Sequence, residues 1–151
     1  MCIEAPGSAL NTLSRKWVDT LRSDQSRFGT TPNFAQERCI QTTTLDDLIS
    51  TYGAPFYAKI DVEGYEPAVL RGLHRPLPYV SFEVNLPQFR QEGVECIERL
   101  EQLDPETKFN YTSDSSDGLV LREWMAKPAF VSHFKAVTEP SIEIFASTRH
   151  C

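Results

Sequence analysis

The chain has 151 residues, 15 Lys and Arg against 21 Asp and Glu for a net charge of −6, and is 40% hydrophobic and 24% charged. A chain of this size buries roughly 68–70% of its unfolded surface, so a core without disulfides or metal is expected, and the composition fits one soluble domain rather than a disordered chain. No apolar run reaches the roughly 18–20 residues of a membrane span, and the scattered basic residues supply no phosphate-binding field; with a start, MCIEAPGSAL, that has neither a basic nor an apolar leader region, a cytoplasmic protein without nucleic-acid or membrane partners is expected.

Cys2, Cys39, Cys96 and Cys151 form no C-x-x-C, and His74, His133 and His150 lie far from them in sequence. Zinc ligands come as closely spaced pairs, so reduced, partly buried thiols are expected and no metal ligand set is read.

Residues 1–36 read as a loop lead-in with one short helix near Leu13 to Leu21, and residues 37–147 as the α/β core of a single domain spanning 1–151. A short apolar alternation at Arg38 to Gln41 predicts a strand, and Thr44 then caps a helix with Asp46 and Asp47 in its first turn. Gly53-Ala54-Pro55 breaks that helix. Phe56 to Val62 follows as an almost continuous apolar run, which predicts a strand covered on both faces. Tyr65 to Leu73 has helical spacing with Pro67 in its first turn. Tyr79 to Val84 is a second strand, and a helix from Gln88 to Leu103 repeats Val94, Ile97, Leu100 and Leu103 on one side. Strands at Lys108 to Thr112, Leu119 to Arg122 and Ile142 to Ala146, a turn at Asp114 to Gly118 and a helix at Ala129 to Val137 complete an α/β chain with a mainly parallel sheet and an antiparallel C-terminal edge.

Ligands of open α/β sheets bind beyond the carboxyl ends of the strands. Asp61, Glu63, Glu83 and Asn85 fall at those ends. Gly64 after the acidic pair lets the backbone turn tightly. Carboxylates there could take a hydroxyl proton, hold an amine or sulfonium, or coordinate magnesium; equally, Asp61 and Glu63 could cap the next helix while Glu83 pairs an arginine. His74 reads as a helix C-terminal partner, and Trp17, Trp124 and Phe130 as core. Lys59 either meets an acidic neighbour or lies along an exposed edge.

The string KIDVEGYEPAVLRGL, with TTLDDLISTYGAP before it and PLPYVSFEVN after it, resembles the FkbM-type S-adenosylmethionine-dependent methyltransferases. The resemblance extends through SRKWVDTLRSDQSRFG, CIERLEQL and SIEIFAS, from about Ser8 to Ser147. It implies a Rossmann-like methyltransferase sheet, S-adenosylmethionine as cofactor, and O-methylation of a hydroxyl on a small molecule or sugar. It implies Asp61 nearest the reacting centre as catalytic and donor-binding residue, Glu63 and Gly64 beside the donor, and Glu83 and Asn85 toward the acceptor. Members of the family carry a glycine-rich strand and turn before this region, and the seven glycines here show no G-x-G spacing. The sheet is therefore expected to be N-terminally incomplete, with the Phe56 to Val62 strand at an open edge. Two other readings stand beside the enzyme: a non-catalytic module, deficient in donor binding, that pairs through this edge with a partner or a second copy, and a magnesium-dependent hydrolase using Asp61, Glu63 and Glu83.

Overall fold

A computed structural model describes residues 1–8, 10–23, 32–114 and 116–149. His150 and Cys151, named above, lie outside the described residues, as does part of the lead-in. The chain divides into two compact units, one of residues 1–42 with 62–65 and one of residues 43–61 with 66–151.

In the first unit, β1 (Cys2–Ile3) pairs antiparallel with β2 (Gln36–Glu37), and α1 (Arg15–Ser23) lies between them in the chain. Trp17, Val18 and Leu21 are buried from α1, which accords with the core role read for Trp17. The strand read at Arg38 to Gln41 is not formed. Its place is taken by the two-residue β2 just before it.

The second unit is built on a five-stranded sheet in the order β3-β4-β7-β5-β6. The strands are β3 (Tyr57–Ile60), β4 (Tyr79–Asn85), β5 (Lys108–Thr112), β6 (Met125–Ala126) and β7 (Ser141–Ser147). The helices are α2 (Leu45–Tyr52), α3 (Glu66–Arg71), α4 (Arg90–Leu103) and α5 (Lys127–Phe134). Thr44 caps α2: its hydroxyl accepts from the Asp47 N–H, and the Asp47 carboxylate accepts from the Thr44 backbone. Gly53, at φ 89°, ends the helix, as its place after the last apolar residue requires.

The sheet corrects the expected arrangement. β3 and β4 run parallel, and β5 points the same way, but the last strand does not sit at the edge. β7 inserts antiparallel between β4 and β5, so its alternating Ile142, Ile144 and Ala146 have a neighbour on each side. The antiparallel edge is the short β6, and no strand forms at Leu119 to Arg122. β3 is an edge strand with Tyr57 and Lys59 exposed, so its apolar run does not mark cover on both faces.

Cross-strand register divides the sheet by chemistry. Ala58, Ile60, Val80, Phe82, Val84, Phe109, Tyr111, Ile142, Ile144 and Ala146 share one face, which packs against helices. Phe109 stacks on Phe130 of α5 at 5.5 Å between ring centres, and Phe130 in turn on Phe134. On α4 the buried line is Gly93, Cys96, Ile97 and Leu100, one step round from the line the leucine spacing predicts, with Val94 and Leu103 half-buried. Gly93 explains the rotation: a Cβ there would sit 3.0 Å from Phe134 and 3.2 Å from Val84, so the glycine admits close approach. The Arg90 guanidinium donates to the Phe134 and Val137 carbonyls and ties α4 to the end of α5. Arg99 donates to the Leu70 and Leu73 carbonyls at the end of α3. His74 does not serve that helix end; its Nδ1 lies 2.8 Å from Asp46 Oδ2. The opposite sheet face carries Tyr57, Lys59, Ser81, Glu83, Ser141 and Glu143.

Candidate functional site

The strand ends bring Asp61 and Glu83 together. Asp61 directly follows β3 and is exposed; Glu83 is half-buried on β4, and a carboxylate oxygen of each lies within 4.8 Å of the other. The pairing follows from the parallel register, in which Lys59 stands opposite Ser81 and the next residues on that face are Asp61 and Glu83. Glu83 does not pair an arginine; the Ser141 hydroxyl donates to its Oε1. Asn85 is buried at the end of β4, beside Ser141 in register, rather than open to the rim.

A polar network fills the same sheet face. Lys59 Nζ lies 3.5 Å from Asp61 Oδ2, which resolves the two readings of this lysine, since it does so on an exposed edge. The Lys59 pKa is raised above its ordinary value, chiefly by the Glu143 carboxylate, partly offset by burial, and further by Asp61 and Glu83. Glu143 stands directly opposite Glu83 across the β4–β7 ladder. The Ser81 hydroxyl donates to Glu143 Oε1 at 2.5 Å, and Tyr57 Oη lies 2.5 Å from Ser81 Oγ. Ser81 has one proton and gives it to a carboxylate that only accepts, so the tyrosine donates to the serine. Ser81, Glu143, Ser141 and Tyr57 were not readable as a group, because they come from three strands whose order the sequence does not state.

Glu63 and Gly64 belong to the other unit. Both have left-handed backbone, φ 53° and 86°, which makes the turn anticipated after the acidic pair. A left-handed non-glycine residue costs on the order of 1 kcal/mol, and the buried Thr12 hydroxyl holds this one by donating to the Glu63 carbonyl at 2.9 Å. Thr12 Oγ1 also accepts from the Ser14 N–H, so one hydroxyl ties together two segments of the chain. Within that unit an open cleft of about 360 Å³ is lined by Met1, Leu13, Arg38, Cys39, Ile40 and Tyr65 among others. Its lining is scattered over four stretches of sequence, and no local pattern marks it.

Among the described cysteines none forms a disulfide: Cys2 and Cys96 are buried and Cys39 is exposed. Burial pushes the Cys96 thiol pKa well up, which keeps it protonated and unreactive. No helix among the described residues is long and apolar enough to cross a membrane.

The methyltransferase FkbM domain matches residues 8–127. The chain belongs to the FkbM methyltransferase family. No curated protein and no solved structure matches it. The match covers α1, the strand ends and turn described above, and β3 to β6. Of the described elements of this FkbM family member, β1, β7 and most of α5 fall outside the matched residues, and β7 supplies Ser141 and Glu143 to the polar face.

Proposed function

We propose that the chain is an S-adenosylmethionine-dependent methyltransferase that moves a methyl group to a hydroxyl of a small molecule or sugar, with Asp61 at the reacting centre. One observation carries the reading beyond the family itself: in the family-matched segment the exposed Asp61 carboxylate stands at the strand-end rim within 4.8 Å of Glu83. The residues present fit a cationic donor. Three carboxylates, Asp61, Glu83 and Glu143, act on the one ammonium of Lys59 beside them, so the rim is net acidic.

Bound there, the donor would supply a methyl group already activated on a sulfonium sulfur. The protein's share is then orientation and exclusion of water. Asp61 accepts a hydrogen bond from the acceptor hydroxyl and takes its proton as the oxygen becomes a nucleophile. Glu63 and Gly64 form the turn that follows Asp61 in the chain, and Glu83 lies on the acceptor side. Lys59, 3.5 Å from Asp61, helps to hold that carboxylate in place. The test is calorimetric titration of the donor into the wild type and Asp61→Asn, followed by a methyl-transfer assay against hydroxyl acceptors. Turnover undiminished by the substitution would remove Asp61 from the mechanism.

A second reading, a methyltransferase-like chain that binds another strand, is favoured by a separate observation: β3 ends the sheet with Phe56 67% and Tyr57 45% exposed. An edge strand of this kind is a template for pairing.

A further inference from the structure

We propose that Glu143 of β7 is a positioning residue for methyl transfer: acting through the Lys59 ammonium, it fixes where the Asp61 carboxylate stands. The inference rests on the reading of Asp61 as the residue at the reacting centre. Glu143 lies beyond residues 8–127, so the family match gives it no role. Glu143, Ser81, Lys59 and Asp61 all belong to the second unit, and their contacts run inward from β3 rather than across its outer side.

Asp61 is the least constrained of the four. It follows the short edge strand β3 and is exposed, and the ion pair it makes is with Lys59 Nζ at 3.5 Å. That separation exceeds the roughly 2.7–2.9 Å of a direct charge-assisted hydrogen bond, so the ammonium is shared rather than given to Asp61 alone. A half-exposed pair of this kind holds little by itself, because the long lysine chain loses conformational freedom in forming it.

Glu143 is the opposite case. β7 is paired on both sides, with β4 and with β5, and Glu143 is half-buried directly opposite Glu83. Its carboxylate accepts from the Ser81 hydroxyl at 2.5 Å, and Ser81 is fully buried and receives the Tyr57 phenol proton in turn. Glu143 is thus anchored to the interior of the sheet through one oxygen, and a carboxylate so engaged keeps acceptor capacity for a cation.

Lys59 joins the two. In the β3–β4 register it stands opposite Ser81, whose hydroxyl holds Glu143. The Glu143 charge, two strands away in the sheet, acts on the ammonium more strongly than the Asp61 charge two residues on in the chain. The ammonium is therefore held by the fixed carboxylate and in turn restrains the loose one. Glu83 also attracts Lys59, yet its carboxylate lies within 4.8 Å of Asp61 and repels it, so Glu83 alone does not supply the restraint. Small misplacements of a reacting group are costly in rate and not in donor binding, which is where the loss of Glu143 should show.

Glu143→Gln tests the assignment, because the amide oxygen still accepts from Ser81 while the charge is gone. The acceptor is whichever the wild type turns over best among methyl glycosides, alkyl alcohols and phenols. For methyl transfer to it, kcat should fall about fivefold to tenfold, with KM for S-adenosylmethionine within about twofold of the wild type. Lys59→Met should lose about as much, and the double variant no more than either alone; a merely structural role would multiply the two losses. A second readout needs no acceptor. Relaxation of the Lys59 Cε group should show it well ordered in the wild type and as mobile as that of the exposed Lys135 in Glu143→Gln. A wild-type Lys59 as mobile as Lys135, or one whose order survives the substitution, overturns the assignment. Turnover by Glu143→Gln equal to the wild type, or multiplied losses in the double variant, overturns it and leaves the methyl-transfer reading standing. A wild type that binds no donor at concentrations on the order of millimolar overturns that reading and the positioning role with it. Donor binding without turnover of any acceptor tried leaves the order of Lys59 as the deciding result.

Discussion

The Ser81 hydroxyl donates to Glu143 Oε1 at 2.5 Å across the β4–β7 ladder, and this bond links the edge of the sheet to its interior. Ser81 is fully buried and is also the acceptor for Tyr57, so its removal leaves a half-buried carboxylate short of a donor and a phenol short of an acceptor. Ser81→Ala should therefore destabilise the protein by about 1–3 kcal/mol, the cost of unsatisfied buried groups. Urea unfolding checks this, and a loss of only a few tenths would show that water replaces the hydroxyl.

The capping box at Thr44 gives a prediction with a pH signature. Thr44→Ala should cost about 1 kcal/mol, as N-cap removals do. The Thr44 hydroxyl and backbone N–H hold the Asp47 carboxyl below its ordinary pKa. A carboxylate depressed by folding adds stability above its unfolded pKa and loses it as pH falls through the folded one. The stability gap between wild type and Thr44→Ala should accordingly be full at neutral pH and shrink below about pH 4. Thermal unfolding at stepped pH reads this, and a gap independent of pH would mean that the Asp47 charge adds nothing to the cap.

Gly93 sits inside α4, where alanine is ordinarily better by about 1 kcal/mol. Here the added Cβ meets Phe134 Cζ at 3.0 Å and Cε1 at 3.1 Å. Phe134 is fully buried, stacked on Phe130 and covered by the Arg90 guanidinium at 5.4 Å, so it has little room to give. Overpacking of this kind costs about 1–3 kcal/mol, and Gly93→Ala should be net destabilising. A stabilised variant in denaturant unfolding would show that Phe134 moves freely.

What the sequence made legible is local. Thr44 with Asp47 announces the start of α2, Gly53 announces its end, and Lys108 to Thr112 is a strand with the bounds expected. The positions of Asp61 and Glu83 at a common rim follow from the two strand-to-helix units and their parallel pairing. Strand order is a different matter. Ile142 to Ala146 alternates in the same way whether the strand lies at an edge or between two others, so the insertion of β7 was not readable, and with it the placing of Glu143 against Glu83 and Ser81. Burial of Asn85 reverses the expectation of an open acceptor residue, because β4 continues one residue further than its apolar run suggests. The hold of Thr12 on the Glu63 carbonyl spans 51 residues and leaves no local mark.

The charge on Lys59 carries a prediction of opposite sign to that of Asp47. Its pKa is raised by Glu143, Asp61 and Glu83, so its contribution to stability is full below the ordinary lysine value and is lost as pH rises through the folded one. Lys59→Met should therefore cost stability at neutral pH and converge on the wild type only as pH rises above the ordinary lysine value of about 10.4. Chemical unfolding across that range checks the point, and a constant difference would assign the loss to packing of the side chain alone.

The central claim is methyl transfer at the Asp61 rim, and calorimetric titration with S-adenosylmethionine addresses it most directly. The account predicts saturable heat with the wild type and, with a hydroxyl acceptor present, turnover that Asp61→Asn lowers by at least about a hundredfold, the usual scale of a general base. No heat at donor concentrations on the order of millimolar, an affinity of about −4 kcal/mol or weaker, would contradict it.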